Sequence, residues 1–217
     1  MKAKILSGLA GVLVAATMLP GTAMAQSTDN GVHAGSILVR GRLIDVMPQN
    51  GPSNISTIGG QVSTNAAVTP EVDFSYFVTE NWAVELIAAT TKHNITATNT
   101  SLGGLKVGST WVLPPALTVQ YHFLPKSSVN PYLGAGLNYT LFYNTKAAGG
   151  TVTNLKLTNN IGEVIQAGVD FDLGGRWFAN LDVKQIFLNT RAKINGAITA
   201  KTALNPTVFG AGFGYRF

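Results

Sequence analysis

The chain has 217 residues, of which 46% are hydrophobic and only 12% charged, with a formal net charge of +5. The charged share is about half that of an ordinary soluble domain, too little to clothe a water-exposed surface in the usual way. Cysteine is absent, which excludes disulfides, thiolate metal sites and cysteine nucleophiles.

Residues 1–25 read as a cleaved secretory signal peptide. Met1 to Lys4 is cationic, Ile5 to Leu19 carries no charge, and Ala23, Met24 and Ala25 have the small-x-small form of a cleavage site. The mature chain, residues 26–217, is expected to be one domain. It contains no uninterrupted apolar run of the ~18 residues that a membrane helix needs. If it spans a membrane, it does so as a closed β-barrel, the other structure that pairs every backbone group in lipid.

Period-two alternation recurs along the chain. Gly35 to Val46 sets Ile37, Val39 and Leu43 against Arg40 and Arg42. Val68 to Val78 sets Val72, Phe74, Tyr76 and Val78 against Glu71, Asp73 and Ser75. Trp82, Val84, Leu86 and Ala88 oppose Ala83, Glu85, Ile87 and Ala89, and Leu117, Val119, Tyr121 and Phe123 oppose Thr118, Gln120 and His122. Pro131 to Tyr143 sets Leu133, Leu137, Tyr139 and Leu141 against Gly134, Gly136, Asn138 and Thr140. Ile165, Val169 and Phe171 oppose Gln166, Gly168, Asp170 and Asp172, and Trp177, Leu181 and Val183 oppose Phe178, Asn180, Asp182 and Lys184. The final segment, Asn205 to Phe217, puts Phe209, Phe213, Tyr215 and Phe217 opposite Val208, Gly210, Gly212, Gly214 and Arg216. An aromatic repeat running to the last residue resembles the C-terminal signal by which bacterial outer-membrane barrels are taken up for insertion. Phe213, Tyr215 and Phe217 are the residues expected to form it, with the barrel-assembly machinery as partner.

These segments predict an all-β fold, an eight-stranded antiparallel transmembrane β-barrel in the bacterial outer membrane. Short turns at Thr79 to Asn81, Pro125 to Ser128 and Leu173 to Arg176 are assigned to the periplasm. Long connections, approximately Met47 to Ala67, Thr91 to Pro114, Asn144 to Ile161 and Asn189 to Leu204, are assigned as extracellular loops. The long loops carry Lys92, Lys106, Lys146, Lys156, Arg191, Lys193 and Lys201 and no acidic residue. Such cations suit the phosphorylated lipopolysaccharide and lipids of an outer leaflet, or are simply solvated. Nucleic acid is not an expected partner of an exported chain.

Five stretches, in order and spanning nearly the whole mature chain, are similar to the OmpW family of small outer-membrane proteins. They are Val84 to Thr90, Leu113-Pro-Pro-Ala-Leu117, Pro131 to Thr140, Gln166-Ala-Gly-Val-Asp170 and Gly214-Tyr-Arg-Phe217. The resemblance implies a narrow apolar interior that passes small hydrophobic molecules. Val119 to Phe123 and Asn180 to Lys184 resemble the alkane-uptake branch of that family. Some members close the lumen with a leucine and a tryptophan. Here Ile87 stands at the first position and Lys184 roughly at the second, a departure that favours a branch with a cation there.

An eight-stranded barrel encloses only side chains or one small ligand, so a wide aqueous pore is not expected. Arg40, Arg42, Glu71, Asp73, Glu85, Asp170, Asp182 and Lys184 form a mixed-sign lining whose charges must pair if sequestered from water. Arg40, Glu85, Ile87, Gln120, His122 and Lys184 are the expected lining and gate residues. An apolar pocket is expected nearer the loops, from Ile87 with Leu102, Leu105, Trp111, Val112 and Leu113. Pro114 and Pro115, lacking N–H groups, either interrupt strand pairing there and open a sideways exit or make a plain strand-entry turn. The expected function is uptake of a small hydrophobic solute with lateral release. The alternatives are a surface barrel of structural or receptor type and a lipid hydrolase. For hydrolysis, His122 lies far along the chain from the turn serines Ser127 and Ser128, and no Gly-x-Ser-x-Gly elbow occurs. His33, His93 and His122 show no metal-ligand spacing. No catalytic residue, cofactor or metal is assigned, and the oligomeric state is left open.

Overall fold

The computed structural model describes residues 31–217 apart from Pro52, so the signal peptide expected over residues 1–25 lies outside the described residues. Among the described residues fifteen strands follow one another. They are β1 (Ile37–Met47), β2 (Ser53–Ile55), β3 (Gln61–Thr64), β4 (Ala67–Phe77), β5 (Trp82–Ala89), β6 (Thr91–Thr100), β7 (Gly103–Leu113) and β8 (Ala116–His122). After these come β9 (Val129–Ala147), β10 (Leu155–Leu157), β11 (Asn160–Gly174), β12 (Trp177–Phe187), β13 (Asn189–Ile194), β14 (Ile198–Ala203) and β15 (Thr207–Arg216).

Eight of them close into an antiparallel barrel in the order β1, β4, β5, β8, β9, β11, β12 and β15, with β15 returning to β1. They coincide with the eight alternating segments of the sequence, and the apolar face of each points out. Leu43, Phe74, Leu86, Leu117, Leu137 and Phe213 are each at least half exposed. That surface suits lipid and would be costly in water. Aromatic side chains gather where the apolar band meets the turn end. Trp82 packs on Tyr121 with ring centroids 4.9 Å apart, Tyr121 on Phe123 at 5.1 Å, Trp177 on Tyr215 at 5.0 Å and Tyr215 on Phe217 at 4.8 Å. This is the aromatic girdle of a membrane barrel.

The barrel is narrow, and inward glycines make room for inward rings. Gly168 pairs in register with Tyr132 and Gly214 with Phe178. A Cβ at either glycine would collide with the facing ring. At the turn joining β11 to β12, Gly174 and Gly175 have φ of 94° and 61°, the left-handed conformations that a tight hairpin needs and glycine supplies at least cost.

The long connections differ from expectation. Rather than loops, they form further strands that raise the barrel wall beyond the membrane: β3, β6 and β7 join the upper part of β9, while β10, β13, β14 and β2 form a second sheet. Their inner faces meet in an apolar cluster that includes Ile55, Val62, Ile95, Leu155 and Ile194.

Candidate functional site

Going up from the periplasmic end, the inward side chains change chemistry in layers set by strand register. The lowest layer is apolar, with Val32, Leu38, Phe77, Ala83 and Phe178. One alternation higher, the lumen is crossed by ion pairs. Arg40 forks onto Asp170, with Nε to Oδ1 at 3.3 Å and Nη2 to Oδ2 at 3.0 Å, and its Nη1 donates to Asp73 at 2.8 Å and to Ser75 at 2.7 Å. The Arg42 Nε donates to Glu71 at 2.9 Å, and its Nη2 lies 2.7 Å from Asp73 Oδ2. Lys184 Nζ reaches Glu71 at 3.0 Å and Asp182 at 2.5 Å. Glu85 accepts from Thr118 at 2.9 Å and from Gln166 at 2.7 Å.

Every charge in this belt is buried. Tyr132 and Phe178 flank the Arg40 guanidinium at 5.5 and 5.4 Å, and the Tyr132 hydroxyl donates to Asp182 at 3.0 Å. Charges taken out of water persist only when paired and hydrogen-bonded. The belt is therefore a plug in the periplasmic half. Arg40, Glu85 and Gln120 lie in it as inward residues, and His122 lies beneath it. The His122 ring nitrogens are occupied by Gln120 Oε1 at 3.2 Å and Asn130 Nδ2 at 2.9 Å, while Ser127 and Ser128 sit on the exposed turn.

Above the belt the lumen turns apolar, with Ile44, Ile87, Ala116, Val164, Ile186 and Val208 in one layer. They form the lower wall of a cavity enclosing about 1150 Å³, counting its open mouth, with Glu71 and Lys184 at its floor. Ile87 and Lys184 thus stand at the same site, the first in the wall and the second on the floor. The expected contributors from β6 and β7 need correction. Thr110, Val112 and Pro114 line the cavity, whereas Leu102, Leu105, Trp111 and Leu113 do not. Alternation turns Trp111 outward onto Tyr143, with ring centroids 6.2 Å apart. Leu113 shares that outward parity, Leu105 packs in the apolar cluster of the extended wall, and Leu102 is exposed on the β6–β7 turn.

Among the lining residues missed in the sequence, His93 is the titratable one. His93 lies on the cavity wall, with Nδ1 2.8 Å from the Asn65 carbonyl and Nε2 2.9 Å from Thr91 Oγ1. A carbonyl oxygen only accepts, so Nδ1 carries the proton and Nε2 accepts from Thr91. Burial holds the His93 pKa below its ordinary value, partly offset by the bond to Asn65. Its segment read as loop, where no facing pattern could single it out.

The cavity wall also has a break in its hydrogen-bond ladder. The β5–β8 pairing ends at Ile87 opposite Ala116, and β6–β7 pairing starts at Thr91 opposite Val112. Between them Ala88 to Thr90 face Leu113 to Pro115 without backbone pairing. Pro114 and Pro115 have no N–H to donate, and their carbonyls are held from the other side by Asn138 Nδ2 at 2.9 and 3.2 Å and by the Tyr139 amide at 2.9 Å. Among the described residues no group of three His, Asp or Glu is placed to hold a metal ion.

The OmpW family model matches residues 33–217. The outer-membrane protein y4mB of Sinorhizobium fredii is 40% identical over 94% of this chain and 90% of its own. Outer membrane protein W of Vibrio cholerae is 33% identical over 84% of this chain and 89% of its own. Among solved structures, the outer membrane protein OprG of Pseudomonas aeruginosa superimposes with a TM-score of 0.80 at 27% identity, covering 86% of this chain and 98% of that one. Sequence, register and these likenesses agree that the chain is an outer-membrane β-barrel and belongs to the OmpW family.

Proposed function

We propose that the barrel takes up small hydrophobic molecules from outside the cell and releases them sideways into the outer membrane. The observation that carries this reading is the mainly apolar cavity in the extracellular half, seated on a sealed belt of ion pairs. An apolar solute gains by leaving water for such a wall, by about 25 cal/mol for each Å² buried. It gains nothing by going deeper, because the belt offers only paired charges that it cannot replace.

The unpaired stretch between Ala88–Thr90 and Leu113–Pro115 supplies the other exit. It lies at the height of the cavity, lined on the inside by Ala89 and Pro114, with lipid on its outer side. Ile87 and Lys184 mark the boundary at which a solute stops descending. In this reading the aromatic repeat Phe213, Tyr215 and Phe217 has no part in transport and serves to bring the chain into the membrane through the assembly machinery.

The test is uptake of a medium-chain alkane or a monoterpene by cells with and without the protein. Faster uptake in its presence is expected; equal uptake would remove the transport role.

A further inference from the structure

The seven loop cations do not scatter over the extended wall; four of them converge. On the sheet formed by β10, β13, β14 and β2, Lys156 pairs directly with Lys193, and Arg191 directly with Lys201. All four are exposed on the outer face, while Leu155, Ile194 and Ala200 turn inward to the apolar cluster. Arg191 and Lys193 are two residues apart on one strand, about 7 Å, and neighbouring strands are about 4.8 Å apart. The four cations thus share a patch the width of one head group. Like charges directly opposite on a sheet destabilise it, and none of the four makes an ion pair among the described residues.

Height places this patch. From Trp177 to Phe187 the outward line of β12 is the lipid-facing band, and the same parity continues through Asn189 to Arg191 and Lys193 on β13. Ten residues of strand run about 33 Å, which at a tilt of about 40° spans about 25 Å, the height of a barrel's apolar band. Arg191, four residues further, lies about 10 Å above that band. This is the level of membrane head groups, and the patch faces them because it continues the lipid-facing line. The outward carboxylate on the adjoining wall, Glu163, pairs in register with Phe187 at the top of the band, below the patch.

We infer that Lys156, Arg191, Lys193 and Lys201 form a binding site for the phosphorylated head group of an outer-leaflet glycolipid. Its phosphates supply the anions that the extended wall lacks, and they relieve the two like-charge pairs. The site is independent of transport: a barrel that carried no solute would hold it equally.

The experiment uses the folded barrel in neutral detergent, titrated with lipid A bearing its phosphates, with fully dephosphorylated lipid A and with inorganic pyrophosphate, and followed by native mass spectrometry. Three forms are compared: wild type, a quadruple variant (Lys156→Gln, Arg191→Gln, Lys193→Gln, Lys201→Gln) and a triple variant of other loop cations (Lys92→Gln, Lys106→Gln, Lys146→Gln). Wild type is expected to bind the phosphorylated lipid at least tenfold more tightly than the dephosphorylated one. The quadruple variant loses that preference and the triple variant keeps it. Without lipid, the quadruple variant unfolds at a temperature no lower than wild type, since relief of the like-charge pairs favours its sheet. An unchanged preference in the quadruple variant, an equal loss in the triple variant, or binding of pyrophosphate as tight as that of lipid A would each overturn the proposal.

Discussion

Arg40 is the residue on which the plug turns. It is fully buried, and its guanidinium is shared between Asp73, Asp170 and Ser75 while two rings cover its faces. Removing it leaves two buried carboxylates with fewer partners, a change that typically costs about 3–5 kcal/mol. Arg40→Ala is expected to lower stability by about that amount in urea unfolding from lipid vesicles, whereas Lys126→Ala, whose partner Glu80 is exposed in a turn, leaves it nearly unchanged. At this scale the sequence was partly legible. Alternation alone told that Arg40, Arg42, Glu71, Asp73, Glu85, Asp170, Asp182 and Lys184 face inward. It could not tell which cation meets which carboxylate, because Arg40 and Asp170 are 130 residues apart and their meeting depends on barrel closure and stagger.

At the scale of elements, eight barrel strands and three tight turns were readable because lipid outside and a narrow lumen inside impose a period of two on each segment. The extended wall was not readable, for two physical reasons. Its outer face meets water and head groups, so the contrast between faces fades. The β6–β7 ladder also slips between Ile95 and Thr96 and again between Ala97 and Thr100, and each slip breaks the alternation by which facing is assigned. That is why Thr110 and His93 were passed over while Trp111 and Leu113 were chosen along with Val112, which does line the cavity. The prolines show the reverse: of the two readings their missing N–H groups allowed, interrupted pairing is the one that the strand register shows. Replacing Pro114 and Pro115 by valine restores two donors at the gap. The double variant is expected to fold with the wild-type heat-modified shift on gels and to slow uptake of a medium-chain alkane severalfold. Uptake at the wild-type rate in that variant would show that this gap is not the exit.

At the scale of the whole molecule, the chain stacks four environments along one axis: an apolar periplasmic floor, a belt of paired charges, an apolar cavity and a raised extracellular wall. Each layer limits what the next can do. In the proposed reading the belt of paired charges stops an apolar solute from going further down the axis, and the cavity above it holds the solute. The way out, in the same reading, is the unpaired stretch at Ala88 to Thr90, whose far side meets lipid. The central claim is that an apolar solute occupies the cavity and stops at the belt. The most direct measurement is a crystal structure of the barrel soaked with a brominated medium-chain alkane, located by its bromine. The bromine is predicted among Ile44, Ile87, Val164 and Val208, above Lys184, with none below Arg42; bromine within or beneath the ion pairs, or an empty cavity at saturating alkane, would contradict the account.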